Sequence, residues 1–146
     1  MSIEQGISEN IIEDLLDFSY PYFSNVMSKE YYKEYIINVT NFKKSLLLYN
    51  DDKIIGIYFL GSTQITQYSK DKRFKNLKGV EGVMLLVTDE YRGKGFGDKL
   101  KDYPKTMGYD YIWGQQAKIL SNLYDWLKRR ELILETPTIY ITAELF

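Results

Sequence analysis

The 146-residue sequence contains no histidine and no cysteine. The chain therefore cannot form a Ser-His-Asp triad, use a thiol nucleophile, close a disulfide or build a zinc site from thiolate and imidazole ligands. Because no imidazole is present, proton transfer must use Asp, Glu, Tyr, Lys, a terminus or water. The lack of cysteine is typical of a reducing compartment.

The chain also lacks an excess of charge of one sign, and it lacks long apolar runs. Nineteen Lys and Arg against 20 Asp and Glu give a net charge of −1, which argues against a general nucleic-acid binder. No stretch approaches the roughly 20 apolar residues that span a bilayer, and the polar N-terminus does not resemble a signal peptide. We expect a cytoplasmic protein with no membrane partner. No linker is visible, so the sequence predicts one domain over residues 1–146.

The apolar periodicity of the first half predicts two helices and a hairpin. Ser8 and Ser28 can each cap a helix, and a few residues near Ile3 would form a first strand. The hairpin has its turn at residues 50–52. Gly56, inside the second hairpin strand, indicates a bulge or a close backbone approach.

The second half begins with a polar, basic segment at residues 62–78, which is either a solvated loop or one wall of a site for an acidic ligand. An almost wholly apolar strand is predicted at 79–87, followed by a Gly-rich turn and a helix up to Pro104. A strand at 109–114, a helix at 117–130 and two final strands complete the pattern. The order predicts a mixed α/β domain with a predominantly antiparallel sheet.

Aromatic residues make up 16% of the chain, with 14 tyrosines. Such tyrosines either fill half-buried positions, with the ring packed and the hydroxyl in water, or line a substrate groove. Tyr31, Tyr32 and Tyr35 are candidates for lining such a groove.

The motif that is most informative about function is a Gly-rich turn between the apolar strand and the next helix. It reads Arg92-Gly93-Lys94-Gly95-Phe96-Gly97. Glycines let the backbone approach a ligand closely, and the N–H groups and dipole of a helix N-terminus favour phosphate. A P-loop is excluded because Asp98 and Lys99 follow the last glycine in place of Lys-Ser/Thr. The dinucleotide fingerprint fails because the spacing is G-x-G-x-G.

The motif and its context resemble the Gcn5-related N-acetyltransferase (GNAT) superfamily, whose signature is Gln/Arg-x-x-Gly-x-Gly/Ala between a strand and a helix. Asp89 stands where proline is usual. Nearly the whole chain fits the family pattern. The resemblance implies a sheet with a splayed central strand pair and an acetyl-CoA-dependent transfer to an amine, with no metal.

The resemblance also assigns cofactor-binding residues. The backbone N–H groups of the Gly-rich turn would hold the pyrophosphate, and the preceding strand would pair with the pantetheine arm. An N–H of Leu86 or Val87 would polarise the thioester oxygen. The cofactor-binding set is Leu85, Leu86, Val87, Arg92, Gly93, Lys94, Gly95, Phe96 and Gly97.

The resemblance places a general base at Glu81, eleven residues before Arg92. Burial in an apolar strand would raise the pKa of this carboxyl toward neutrality. The alternative is a glutamate at the wet end of the strand, paired with a nearby lysine. Gln115 falls where another branch of the family carries a glutamate base, and an amide cannot take a proton.

The general acid is less clearly assigned. The family often uses a tyrosine late in the last helix, but Leu127 stands at that register, and Tyr124 is the nearest candidate.

The missing tyrosine motivates an alternative function, a non-catalytic CoA-binding sensor or interaction module. A third hypothesis is a nucleic-acid-binding module using residues 70–78. The acceptor would be an amine of a small molecule, peptide or protein lysine, and the last strands could pair in a homodimer.

Overall fold

The computed structural model describes residues 1–119 and 127–146. This part of the chain contains three α-helices and seven strands. The helices are α1 (Glu9–Ser19), α2 (Lys29–Val39) and α3 (Phe96–Thr106). The strands are β1 (Ser2–Gln5), β2 (Leu46–Asn50), β3 (Lys53–Gly61), β4 (Gly79–Val87), β5 (Tyr111–Ala117), β6 (Glu131–Glu135) and β7 (Ile139–Leu145).

The strands form a mostly antiparallel sheet in the order β1-β2-β3-β4-β5-β7-β6. β4 and β5 are parallel, and their described register joins 79–81 to 111–113, three residues of the nine in β4. The splayed central strand pair that the family resemblance implies stays a prediction. The mixed α/β fold with a mostly antiparallel sheet is confirmed.

The chain divides into two compact units, and each is discontinuous in sequence. The first comprises Met1–Gly61 and Val83–Leu100, and the second comprises Ser62–Gly82 and Lys101–Phe146. Strand β4 contributes residues to both. The single domain expected over residues 1–146 stays a prediction.

Apolar faces of α1 and α2 form the core of the first unit together with its strands. Their periodicity, with apolar side chains three and four residues apart, places one stripe of each helix inward. The tyrosine hydroxyl in this core is satisfied, because Tyr32 Oη lies 2.6 Å from Ser19 Oγ. The buried members are Ile7, Leu15, Leu16, Tyr32, Ile36, Leu47, Ile57, Phe59, Met84 and Leu86.

The predicted helix starts are confirmed, and the two caps differ. Ser28 precedes α2, and its Oγ accepts a hydrogen bond from the Tyr31 N–H at 3.2 Å. Ser8 precedes α1 with an extended backbone but makes no side-chain cap bond. Capping therefore contributes energy at α2 that it does not contribute at α1.

The hairpin β2–β3 is also confirmed. It has both a bulge and a close backbone approach, the two features that Gly56 indicates. Asp51 in the turn has a φ of 53°. The register passes from Leu48–Gly56 to Tyr49–Ile54, which leaves Ile55 as the extra residue of a bulge. A Cβ at Gly56 would lie 3.1 Å from both Leu100 Cδ1 and Leu48 Cβ, so the glycine also allows α3 to pack closely.

Residues 62–78 pack against β5 in the core of the second unit, so this segment is not a wholly solvated loop. Ile65 and Phe74 are buried against Tyr111 and Trp113. The Trp113 indole N–H donates to the Thr63 carbonyl oxygen at 3.0 Å. The lysines of the segment remain exposed.

Three element boundaries differ from the sequence expectation. The strand expected at 109–114 occupies Tyr111–Ala117, because β7 pairs with it along all seven residues. The expected start of a helix at residue 117 is therefore wrong, and residues 127–129 form a turn. The remainder of that helix falls mostly outside the described residues. Helix α3 continues two residues beyond Pro104.

In the part of the chain that the structure describes, no helix has both the length and the apolar composition needed to cross a membrane.

Candidate functional site

The Gly-rich turn between β4 and α3 has the backbone geometry of an anion cradle. Gly93 and Gly95 have φ values of 74° and 85°, a left-handed conformation that favours glycine. A Cβ at either position would meet no atom within 4 Å, so the space in front of the turn is open. The glycines are therefore required by backbone conformation and not by neighbouring side chains.

The first turn of α3 supplies the donors. The first intrahelical bond near this end runs from the Lys99 N–H to the Gly95 carbonyl oxygen at 3.2 Å. The N–H groups of Phe96 and Gly97 precede that bond, at the positive end of the helix dipole. Donors and dipole together fit a pyrophosphate group.

Arg92 is held at the rim of the turn by three contacts. Its Nε–H donates to the Val87 carbonyl oxygen at 2.9 Å, and its Nη1 lies 3.2 Å from Asp89 Oδ1. The guanidinium carbon lies 5.2 Å from the centre of the Tyr22 ring. These contacts orient the arginine before any ligand arrives, although Asp89 offsets part of its charge. The sequence gives no signal for the contact with Tyr22, because the two residues are 70 positions apart.

Two lysine side chains lie beside the ring of Tyr91, the residue that precedes Arg92. The ammonium groups of Lys94 and Lys53 lie 5.6 Å and 6.0 Å from the centre of its ring. The Tyr91 hydroxyl accepts a hydrogen bond from Asn50 Nδ2 at 2.9 Å. The tip of the β2–β3 hairpin is thereby tied to the Gly-rich turn, with two cations beside it.

The three β4 residues predicted to bind the cofactor lie in the same unit as the turn. Leu86 is buried in the core of the first unit. Leu85 is half-buried, and its Cδ2 would lie 3.9 Å from a Cβ at Gly97. Val87 is half-buried at the end of the strand. The predicted set from Leu85 to Gly97 is therefore brought together by one strand, one turn and one helix start.

Glu81, the predicted base, lies in the second unit and is 4% exposed. Its backbone pairs with that of Trp113, and the Gln115 side chain hydrogen-bonds its carboxyl group. Burial raises the pKa of Glu81 to about 7, and the bond from Gln115 opposes the rise. The burial of Glu81 that the sequence predicts is observed. The alternative, a glutamate exposed at the solvent end of the strand, is therefore wrong. A buried carboxyl with this pKa can accept a proton near neutral pH.

The predicted acid, Tyr124, lies outside the described residues. Leu127, at the register where the family carries tyrosine, is exposed in a turn. Sequence reasoning missed one buried charge nearby, Arg130, which is 6% exposed. Two adjacent arginines precede β6, and the sequence does not reveal which of them is buried.

Comparison with known proteins links this arrangement to one fold. No protein-family model and no curated protein matches the sequence. Among solved structures, the PaiA N-acetyltransferase of Thermoplasma acidophilum in complex with coenzyme A matches with a TM-score of 0.64 and 16% identity over 100% of both chains. An aminoglycoside 6′-N-acetyltransferase complexed with coenzyme A matches with a TM-score of 0.66 and 12% identity, over 99% of this chain and 97% of the other.

A third structure, a GNAT family acetyltransferase from Elizabethkingia anophelis with acetyl-CoA bound, matches with a TM-score of 0.59 and 19% identity, over 99% of this chain and 97% of the other. At such identities the likeness concerns the fold, and it extends over the whole chain. The resemblance first indicated by residues 92–97 is confirmed at that level: the chain has the fold of the Gcn5-related N-acetyltransferases.

Proposed function

We propose that the protein is an acyl-CoA-dependent N-acyltransferase that moves an acetyl group from acetyl-CoA to a primary amine by direct attack. The observation that carries the proposal is the open turn with left-handed Gly93 and Gly95, which precedes α3 in a GNAT fold. Neighbouring structures with this fold hold coenzyme A or acetyl-CoA. The Phe96 and Gly97 donors described above fit the pyrophosphate of this co-substrate.

Each residue of the turn and strand has a role in this proposal. The N–H groups of residues 92–97 hold the pyrophosphate, and the Arg92 and Lys94 side chains add charge at its rim. Leu85, Leu86 and Val87 pair with the pantetheine arm. An N–H of Leu86 or Val87 polarises the thioester oxygen. The transfer needs no metal.

Glu81 acts as the base that removes the proton from the attacking amine, directly or through a water. Its burial and its pKa of about 7 support this role. A base with this pKa is partly deprotonated at neutral pH, which suits it to accept a proton during attack.

The acceptor is an amine of a small molecule, peptide or protein. One of the structural neighbours is an aminoglycoside 6′-N-acetyltransferase, which supports a small-molecule amine as one class of acceptor. The exposed tyrosines of α2, Tyr31 and Tyr35, have stacked rings with centres 6.4 Å apart, and they stay candidates for lining an acceptor groove. A cytoplasmic location and a homodimer stay predictions.

The test begins with binding, measured as a thermal shift and by calorimetry with acetyl-CoA. Gly95→Ala is the test variant and Gly108→Ala the matched control, because both glycines have positive φ and open space at Cβ. Each substitution should cost about 1 kcal/mol of stability. Only Gly95→Ala should weaken acetyl-CoA binding. If no CoA species stabilises the native protein, the proposal fails.

Turnover is tested with a panel of amines, scored by release of free thiol. Acetyl transfer above the rate of background hydrolysis supports the enzyme. Tight binding of acetyl-CoA with no turnover on any amine would instead favour the non-catalytic CoA-binding module.

A further inference from the structure

Tyr22 stands on a well-packed segment between α1 and α2. The next residue, Phe23, packs against the core of the first unit, and its ring stacks on the buried ring of Tyr32 with centres 5.2 Å apart. Two residues before Tyr22, the Tyr20 hydroxyl donates to the Met27 carbonyl oxygen at 2.8 Å. Tyr22 itself is 39% exposed. The segment therefore anchors the chain on both sides of Tyr22 and presents its ring at the surface of the first unit.

The guanidinium of Arg92 lies over this ring, with its central carbon 5.2 Å from the ring centre. A cation so placed is attracted to the face of the ring. The Nε–H and Nη1 of the same guanidinium contact the Val87 carbonyl oxygen and the Asp89 carboxylate. Neither of these two contacts uses the donors of Nη2. Because a guanidinium is a rigid planar fork, holding it at three places fixes the direction of its remaining donors.

The contact connects the segment between α1 and α2 to the Gly-rich turn. Tyr22 and Arg92 both belong to the first unit, which also contains the turn, and Arg92 directly precedes Gly93. The Arg92 side chain is 50% exposed. A long exposed side chain loses rotamer freedom when it binds a ligand, and that loss opposes binding. Contacts that hold the side chain before the ligand arrives reduce the loss.

We propose that Tyr22 is a positioning residue for the co-substrate: it holds Arg92 in the orientation that binds the pyrophosphate of acetyl-CoA. The inference rests on the proposed function, in which the Gly-rich turn holds that pyrophosphate. Arginine binds phosphate oxygens through charge-assisted hydrogen bonds of defined geometry, so an arginine held in one orientation binds more tightly than a mobile one. Tyr22 acts through Arg92 and takes no part in the acetyl transfer itself.

The carboxylate of Asp89 cannot take over this role of the ring. It also holds the guanidinium, with Oδ1 3.2 Å from Arg92 Nη1, but its negative charge repels the phosphates of a ligand bound beside it. The Tyr22 ring is neutral, so it orients the guanidinium and leaves the positive charge available to the ligand. This difference is why the aromatic contact favours an anionic co-substrate.

The first measurement is calorimetric titration of the native protein and its variants with acetyl-CoA. Tyr22→Leu should weaken binding about 2- to 5-fold, the effect expected of an exposed contact between a cation and an aromatic ring. Tyr22→Phe keeps the ring and should bind as the native protein does. Phe18→Leu, which removes an exposed ring near the end of α1, is the matched control and should also bind normally. Native affinity in Tyr22→Leu, or equal weakening in Tyr22→Phe, overturns the inference.

A double-mutant cycle then separates positioning of Arg92 from a general structural role. Tyr22→Leu should not weaken acetyl-CoA binding further in an Arg92→Gln background, because the group that it positions is gone. In turnover, Tyr22→Leu should raise KM for acetyl-CoA and leave kcat unchanged. Additive losses in the cycle, or a lower kcat, overturn the inference. Tyr22→Gln replaces Tyr22→Leu if that variant does not fold. If the native protein binds no CoA species, the proposed function fails instead.

Discussion

A single buried carboxyl, that of Glu81, shows how burial can bring the pKa of a side chain close to neutral in a chain without histidine. Glu81 is almost inaccessible to solvent, and this burial is the cause that raises its pKa. The carboxyl thereby titrates in the range that an imidazole would normally cover. The neighbouring amide of Gln115 limits the rise by hydrogen-bonding the carboxyl.

Glu81 should make the protein less stable as the pH rises. Burial raises its pKa from 4.5 to about 7, so the folded state keeps a proton that the unfolded chain releases. Stability is therefore lost as the pH rises from about 4.5 to about 7. Glu81→Gln should resemble the native protein near the lower limit and be more stable at pH 8 by on the order of 3 kcal/mol. Urea unfolding at the two pH values measures the difference, with Glu4→Gln, exposed on β1, as the control.

The same carboxyl should set the pH dependence of turnover. With an acceptor amine that is neutral throughout, the rate should rise with pH and level off above about 7, since only the carboxylate accepts a proton. Gln115→Leu removes a hydrogen bond that lowers this pKa, so the inflection should move to higher pH. Unchanged turnover in Glu81→Gln would exclude Glu81 as the base.

For individual residues, some features of the candidate site could be predicted from the sequence and others could not. The left-handed backbone at Gly93 and Gly95 was predictable because glycine favours that conformation, and the burial of Glu81 was predictable because a lone acid interrupts an apolar strand. The contact between Arg92 and Tyr22 and the burial of Arg130 were not predictable. Their positions depend on contacts between distant segments, for which a single sequence gives no local pattern.

The secondary-structure elements show where local sequence suffices and where it does not. Capping serines and helical periodicity placed the starts of α1 and α2 correctly, because both signals are local. The end of β5 was misplaced because the long ladder with β7 extends it. Pairing with a later strand is a non-local effect that periodicity within β5 cannot report.

The two helix caps provide a matched pair of substitutions. Ser28→Ala should lower the free energy of unfolding by about 1 kcal/mol, because it removes the bond from the Tyr31 N–H. Ser8→Ala should cost much less, since Ser8 makes no side-chain cap bond. Chemical denaturation of the two variants under identical conditions measures the difference. Equal losses would contradict the role assigned to the Ser28 hydroxyl.

Gly56 is required by the packing of α3 on the hairpin. Gly56→Ala should destabilise the protein by about 1–3 kcal/mol, because the new methyl group would lie 3.1 Å from Leu100 Cδ1 and from Leu48 Cβ. The loss should shrink in a Leu100→Ala background, where one of the two contacts is relieved. A double-mutant cycle measures this coupling, and strict additivity would argue against the contact.

Over the whole molecule, charge is nearly balanced, so attraction for an anionic ligand must be local. The net charge is −1, while Arg92, Lys94 and Lys53 surround the Gly-rich turn. Exposed charges of this kind are screened by salt. We expect added salt to weaken acetyl-CoA binding several-fold and to leave binding of S-acetylpantetheine, which lacks the phosphates, nearly unchanged. Calorimetric titration at low and high ionic strength makes the comparison, and equal salt effects on both ligands would contradict it.

The interleaving of the two units has a consequence for synthesis on the ribosome. The first unit needs Met84 and Leu86 for its core, yet Ser62–Gly82 of the second unit emerges before them. A nascent chain that ends at residue 61 therefore exposes the apolar faces of α1, α2 and the β2–β3 hairpin, and such exposed surfaces aggregate. The first 61 residues therefore keep part of their apolar surface uncovered until β4 is translated, and a chain truncated after Gly61 should aggregate.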